Sequence, residues 1–303
     1  MQVVFRQVHY TFLSLKLLEK TLDSKPMITF YRYKKKHPLP NIIQSVWWLV
    51  NDDTSTQFSL ISDGYTELVF PLKGQFYGIV DEENSIIKTP SIIGVSDRSI
   101  RMIADAKSVF VFVKLMPWAL PLIINDSAKL LKDIAAELTN FHKIPTDYLD
   151  YYHEGRWNIE AVIEKSIFPY LIRLLQNSKT ANPLISNHIS RLFHDVQNLA
   201  LDNNKVQIRY SKRYLEKLYQ EHIGLSPMRY RRLIKIKKAS LLLSTQKLDN
   251  LYSLALRLGY YDQSHFHKDF LRIVETSPSA FIKSIPQQAV LNNPNYSGQY
   301  QYS

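Results

Sequence analysis

The sequence predicts an α+β multidomain fold: a β-rich N-terminal sandwich or small barrel, a helical connector and an all-α C-terminal unit. Three observations carry this reading. Residues 28–121 fall into short runs dense in branched and aromatic side chains, residues 121–203 carry apolar positions three and four apart, and residues 211–227 recur as residues 262–278 at an offset of 51. The first pattern suits half-buried strands and the second amphipathic helices. At 303 residues and 45% hydrophobic content, the chain is long enough for two domains.

Residues 1–26 mix apolar and basic groups without a continuous apolar stretch or a small-residue cleavage site, so no secretory signal is read there. Met27 is followed at once by a strand-like run, which makes it a candidate start and residues 1–26 an N-terminal extension. From 27 to 125 the runs FYRY, SVWWLV, QFSLI, TELVFPL, QFYGIV, SIIKT, SIIGV and SVFVFVKL are read as strands of a sensing or interaction domain. Asp63-Gly64, Lys73-Gly74 and Glu83-Asn84 are read as turns between them. LPLIIN and then, within the connector 126–203, SAKLLKDIAAEL, NIEAVIEKSIFPYLIRLLQ and ISRLFHDVQNLAL are read as helices. The polar, Tyr-rich composition of 286–303 predicts a disordered tail.

The repeat lies in the remaining unit, 204–285. SKRYLEKLYQEHIGLSP aligns without a gap on DQSHFHKDFLRIVETSP, placing Leu215 on Phe266, Lys217 on Lys268, Tyr219 on Phe270, Ile223 on Val274 and Ser226-Pro227 on Ser277-Pro278. Spacings of four put the apolar members on one helical face and leave the polar and basic ones outward. In the second copy, Leu251–Leu258 forms a short amphipathic segment, Gly259 supplies a permissive turn and the next helix begins after Tyr260, which is a helix-turn-helix. Two equivalent helices with polar faces suit a repetitive target, and a DNA duplex returns its major groove to one side every ~34 Å. The helix between them, MRYRRLIKIKKASLLLS, is read as basic on one side and as a rigid spacer.

SKRYLEKLYQEHIGLSPMRYRRLIKIKKASLLL and LALRLGYYDQSHFHKDFLRIVETSPSAF, in that order and separation, resemble the AraC/XylS family of bacterial transcription regulators over roughly Ser211 to Phe281. HPLPNIIQSVWWL, SDGYTELVFPL and KLMPWALPLI are similar to an N-terminal domain, of unassigned ligand, found in one AraC-like subgroup. The resemblance implies a C-terminal double helix-turn-helix with both second helices in successive major grooves. It implies double-stranded DNA and RNA polymerase as partners, a small-molecule effector or partner at the front domain, and no cofactor. Carried over by position, Lys212, Arg213 and Lys217 face the groove in the first copy, and Asp262, Gln263, Ser264, His267 and Lys268 in the second. Ser226, Ser277, Arg231 and Lys235 are expected at the phosphate backbone. Three positions depart from the family pattern: Lys205 stands where a small scaffold residue is usual, Glu275 where Gly is usual, and Lys235 where Arg is usual, losing the bidentate fork.

Between Lys205 and Ile285 there are sixteen Lys and Arg against six Asp and Glu, which places +10 of the formal +11 in the repeat unit. That is the footprint expected of a polyanion binder, although a solvated basic face would look the same in isolation. Gln reads adenine, Arg or Lys reads guanine and Asp accepts from cytosine, while phosphate or solvent contact stays open for each; the two serines equally suit simple helix capping. Trp47, Trp48, Tyr65, Glu67 and Trp118 are candidates for an effector pocket, against the alternative of an ordinary aromatic core. Glu67 with Asp63 has the look of an acid/base pair, but a turn followed by a strand explains it and no partner nucleophile accompanies it. His265 and His267 are two apart and point to different helix faces, so no metal site is expected. The chain lacks Cys, fitting a cytoplasmic setting, and lacks any run of about 18 apolar residues, so no membrane partner is expected. Two rivals to a non-enzymatic, sequence-specific regulator are a non-specific nucleic-acid binder and an enzyme-like β-barrel tethered to DNA. Oligomeric state, monomer or homodimer, is left open.

Overall fold

The computed structural model describes residues 28–51, 54–80, 83–142, 158–176, 181–198, 211–245 and 250–284. The expected N-terminal extension, the region of Lys205 and the expected disordered tail lie outside the described residues. The front unit is built from β1 (Ile28–Arg32), β2 (Ile43–Asn51), β3 (Thr56–Leu60), β4 (Thr66–Lys73), β5 (Phe76–Val80), β6 (Glu83–Ile87), β7 (Ser91–Ile93), β8 (Ile100–Ala104), β9 (Ser108–Leu115) and β10 (Ala135–Glu137). They form a six-stranded sheet in the order β1-β2-β9-β4-β7-β10 and a four-stranded sheet in the order β3-β8-β5-β6. Every pairing is antiparallel.

Strand β9 is the centre of this unit and is buried along its whole length. Its alternation sends Phe110 and Phe112 between the sheets, where Trp47, Leu49, Val69, Phe76 and Met102 meet them. The Trp47 and Phe112 rings stack at 3.8 Å and 2°. Val109, Val111, Val113 and Leu115 point to the opposite face, which is covered by α1 (Leu120–Ile124) and by a long helix. That helix runs from α2 (Ile159–Val162) through a π-wound turn, Ile163–Ile167, into α3 (Phe168–Leu175). Pro169 lacks an N–H to return to the preceding turn, and the π winding lies just N-terminal to it.

Several expectations are corrected. SAKLLKDIAAEL is not a helix: Ser127 caps a single 3₁₀ turn, Ala128–Leu131, Asp133 turns left-handed at φ 58°, and the chain then extends as β10. Apolar residues three or four apart over so short a run suit a turn plus a strand equally well. Glu83 and Asn84 begin β6 and pair with Val80 and Ile79 instead of making the turn. Strand β8, carrying Arg101, was not read from the sequence. The connector is not a unit of its own, because α2 and α3 pack on the sheet whereas α4 (Pro183–Gln197) joins the C-terminal core through Ile185, Ile189, Leu192, Phe193 and Val196.

The C-terminal unit continues with α5 (Lys212–His222), α6 (Pro227–Thr245), α7 (Leu251–Arg257), α8 (Gln263–Val274) and α9 (Pro278–Ser284). Helix α6 lacks the one-sided basic face expected of it. Tyr230, Leu233 to Lys237, Ala239, Ser240, Leu242 and Leu243 are all buried, so the helix is hemmed around most of its circumference. One core holds α4 to α9 together with Ile61, Tyr65, Val95 and Trp118 of the front unit. Among the described residues no helix is long and apolar enough to cross a membrane.

Candidate nucleic-acid interface

The two copies of the repeat fold alike. Ser211 caps α5, its hydroxyl accepting from the Tyr214 N–H at 3.2 Å, and Asp262 caps α8, its carboxylate accepting from the His265 N–H at 2.7 Å. Leu215, Leu218 and Tyr219 turn inward from α5 while Lys212, Arg213 and Lys217 are exposed. From α8, Phe266, Asp269, Phe270, Ile273 and Val274 turn inward while Gln263, Ser264, His265, His267 and Lys268 are exposed. Rings bind the second copy together: Phe266 meets Tyr260 at 5.6 Å and Phe270 at 5.7 Å, and Phe270 meets Phe281 at 5.5 Å. The scaffold helix α7 is capped by Asn250 and ends at Gly259, φ 68°, from which Tyr260 returns an N–H to Ala255 O at 3.0 Å.

Most of the expected reading residues are therefore brought to the surface in equivalent places. Lys217 shares its charge with Glu221 at 3.6 Å, one turn on. Asp262 is half-buried with one oxygen engaged as the cap. Ser226 and Ser277 both cap, accepting from Arg229 N–H at 3.3 Å and Ala280 N–H at 3.2 Å. Lys235, expected at the phosphate backbone, is turned inward. It is 7% exposed, donates to Gly259 O at 3.1 Å and lies 4.9 Å from the Tyr260 ring centre, so it fastens α6 to the turn of the second motif. Burial, together with Arg231 and Arg232, pulls its pKa down to about 8 against the pull of Asp269. Arg231 is half-buried, and its charge acts on His188 of α4 and Tyr219 of α5.

The expected effector pocket is only partly assembled. Trp47 and Trp48 are neighbours on β2 and therefore face opposite sides; Trp48 stacks on Tyr31 at 5.4 Å, away from the sheet-to-sheet core. Trp118 packs with the C-terminal helices and donates to Asn41 O at 3.3 Å. Trp47, Tyr65 and Glu67 do gather, around a residue the sequence reading passed over. Lys114 pairs with Asp63 and with Glu67 at 3.5 Å, and lies over Tyr65 at 5.6 Å, while Trp47 donates to Glu67 at 3.3 Å. Glu67 and Lys114 are direct cross-strand partners. The signal was a single charge in the apolar run SVFVFVKL, on the same strand face as Phe110 and Phe112.

This cluster lies at the junction of the two units. Burial foremost, then Asp63, raises the Glu67 pKa despite Lys114; burial opposes the charge on Lys114, but Asp63 and Glu67 outweigh it and hold its pKa up. Lys237 of α6 is in electrostatic range of all three, and burial brings it to about 8. Beside them Gly64, φ +81°, approaches α6 so closely that a Cβ would stand 2.7 Å from Ile234 Cδ1, and Tyr230 donates to its carbonyl at 3.1 Å. Tyr65 stacks on Phe193 of α4 at 5.3 Å.

Residues 207–284 match a family model described as a helix-turn-helix domain. An uncharacterised HTH-type transcriptional regulator of Haemophilus influenzae is 35% identical over 69 residues, covering 23% of this chain and 23% of that protein. The Msm operon regulatory protein of Streptococcus mutans is 26% identical over 129 residues, covering 42% and 45%. The chain thus matches less than half the length of these curated relatives. Among solved structures, a crystal structure of ToxT from Vibrio cholerae aligns with a TM-score of 0.44 and 13% identity over 79% of this chain and 98% of that one. A second, bound to (E)-4-(8-methylnaphthalen-1-yl)but-3-enoic acid, aligns with a TM-score of 0.43 and 13% identity over 86% and 99%.

Proposed function

Residues 207–284 belong to the helix-turn-helix domains of the AraC type, and from that premise we propose that the protein is a sequence-specific DNA-binding transcription regulator. One observation carries the reading: two helices with the same buried positions expose, from their first residue to their middle, Lys212, Arg213 and Lys217 in one case and Gln263, Ser264, His267 and Lys268 in the other. In this reading α5 and α8 enter successive major grooves. Each bidentate base contact contributes ~1–3 kcal/mol of discrimination, and the lysines and arginines contribute through counterion release. The starts of α6 and α9, capped by Ser226 and Ser277 and without an N–H at Pro227 and Pro278, approach phosphates with the N–H groups of Met228 and Ser279. An effector or partner of the β-rich unit alters the grip by binding one arrangement of the two units better than another. RNA polymerase is the further partner that such a regulator meets.

The test is selection of bound sequences from a random duplex pool at near-physiological salt. Two short boxes about one helical turn apart are expected. Arg213→Ala then relaxes preference in one box and Gln263→Ala in the other, each by roughly 1–3 kcal/mol. Strong, salt-sensitive binding without enrichment would replace this reading with non-specific binding.

A further inference from the structure

The front unit touches both reading helices where they end, and it does so with one laced piece of chain. Gly94 and its following loop are joined to the 3₁₀ turn Ala128–Leu131 and the residues after it: Gly94 N–H donates to Ile134 O at 3.0 Å, Asp133 N–H to Val95 O at 3.3 Å, and a Cβ at Gly94 would fall 1.7 Å from Leu131 O. One end of this piece rests on the first copy. Gly224, φ +87°, closes α5 by donating to Tyr219 O at 3.1 Å and Gln220 O at 3.2 Å, and a Cβ there would stand 3.0 Å from Ala128 O.

The other end holds the second copy. The equivalent of Gly224 is Glu275, forced left-handed at φ 63° with a single return bond to Leu271 O at 2.9 Å. The Ile273 carbonyl, one of the last four of α8, has no partner within its own helix. Ser99 of the front unit supplies it with two donors, its N–H at 2.8 Å and its hydroxyl at 2.9 Å. Two residues earlier in the same loop, Asp97 meets Arg229 at the start of α6 at 3.7 Å.

We infer that this loop pair is a brace that fixes the distance and phase between the two reading helices, and that Asp97 and Ser99 therefore determine the spacing of the two DNA boxes. The inference rests on the DNA-reading function proposed above. A spacer change of one base pair moves one box by ~3.4 Å and turns it by about a tenth of a revolution. A braced pair of helices cannot follow that displacement, whereas an unbraced pair has only the packing of α6 between the motifs and the Lys235 contact to Gly259 to resist it.

The experiment places the two selected boxes at the native spacing and at one and two base pairs more or less, and measures affinity for wild-type protein, Ser99→Ala and Asp97→Asn/Ser99→Ala. The wild type is expected to lose about fivefold to a hundredfold per altered base pair, the scale of a lost base contact. The variants keep the box sequences and most of the affinity at native spacing, while the penalty for altered spacing shrinks, more in the double variant. Ser99→Ala alone retains the Ser99 N–H bond and carries the test if the double variant does not fold. Spacing profiles that superimpose on the wild type, or affinity that rises or falls equally at every spacing, overturn the brace. Failure of the wild type to select any box pair would overturn the DNA-reading function itself, and the brace with it.

Discussion

Lys114 interrupts an otherwise apolar strand, and its neighbours explain why that is tolerated. With Asp63 and Glu67 it forms a buried cluster in which each charge answers another. Removing one member of such a group leaves the rest uncompensated, which typically costs about 3–5 kcal/mol. Lys114→Met should therefore lower unfolding free energy by that amount in denaturant titrations; a neutral outcome would mean that water reaches the cluster. Lys235 and Lys237 follow a different rule. Burial holds both near a pKa of about 8, below the ordinary value of about 10.4, so they bind protons more weakly folded than unfolded. Stability is then lowest where both states carry the charge, and it climbs as pH rises from about 8 toward 10. Unfolding free energies at pH 7.5, 8.5 and 9.5 should increase, with a shallower climb for Lys237→Met. A fall across that window would show that the lysines stay charged by way of their acidic neighbours.

At the scale of elements, the repeat was legible because its apolar positions obey the helical period in both copies. Its structural partners were not, because they come from residues more than a hundred positions away. Nothing in MRYRRLIKIKKASLLLS announces that Gly64 will press on Tyr230 and Ile234, and even the nearer Gly259 gives no sign that Lys235 will turn inward to it. For the same reason the basic character of α6 was misjudged as a surface stripe: charge in a sequence reports composition, and only packing decides which cations meet solvent. The ending of α8 was half legible. Glu275, standing where the family has Gly, implies a different helix ending; the structure corrects this, keeping a left-handed terminus at φ 63° and satisfying the leftover Ile273 carbonyl from Ser99. Glu275→Gly should relieve a backbone strain of about 1–2 kcal/mol, less the greater chain entropy of glycine. The expected outcome is a rise in melting temperature of roughly 2 °C; no rise would mean that the Glu275 side chain contributes as much as its backbone loses.

At the scale of the whole molecule, the sandwich was foreseen from its short aromatic runs, and its second, helix-covered face was not. The connector disappears as a unit because its helices are divided between the sheet and the C-terminal core. That division has a thermodynamic consequence. Ile61, Tyr65, Val95 and Trp118 belong to the β-rich unit by sequence, yet they are buried with α4 to α9 in one apolar core. Tyr230, Ser99 and Arg229 tie the same boundary through polar contacts. Opening the boundary would expose that apolar surface at about 25 cal/mol per Å², and it would leave the Ile273 carbonyl without Ser99. The C-terminal unit cannot lose its core without uncovering these four residues of the front unit, which couples the unfolding of the two. Tryptophan fluorescence carries the front unit through Trp47 and Trp48 and the junction through Trp118, and far-ultraviolet dichroism is dominated by the helices, so the two signals sample different parts of the chain. They should trace one coincident unfolding transition in denaturant. Two separated transitions would mean that the junction contributes little, and that the units hold together only when something else binds them.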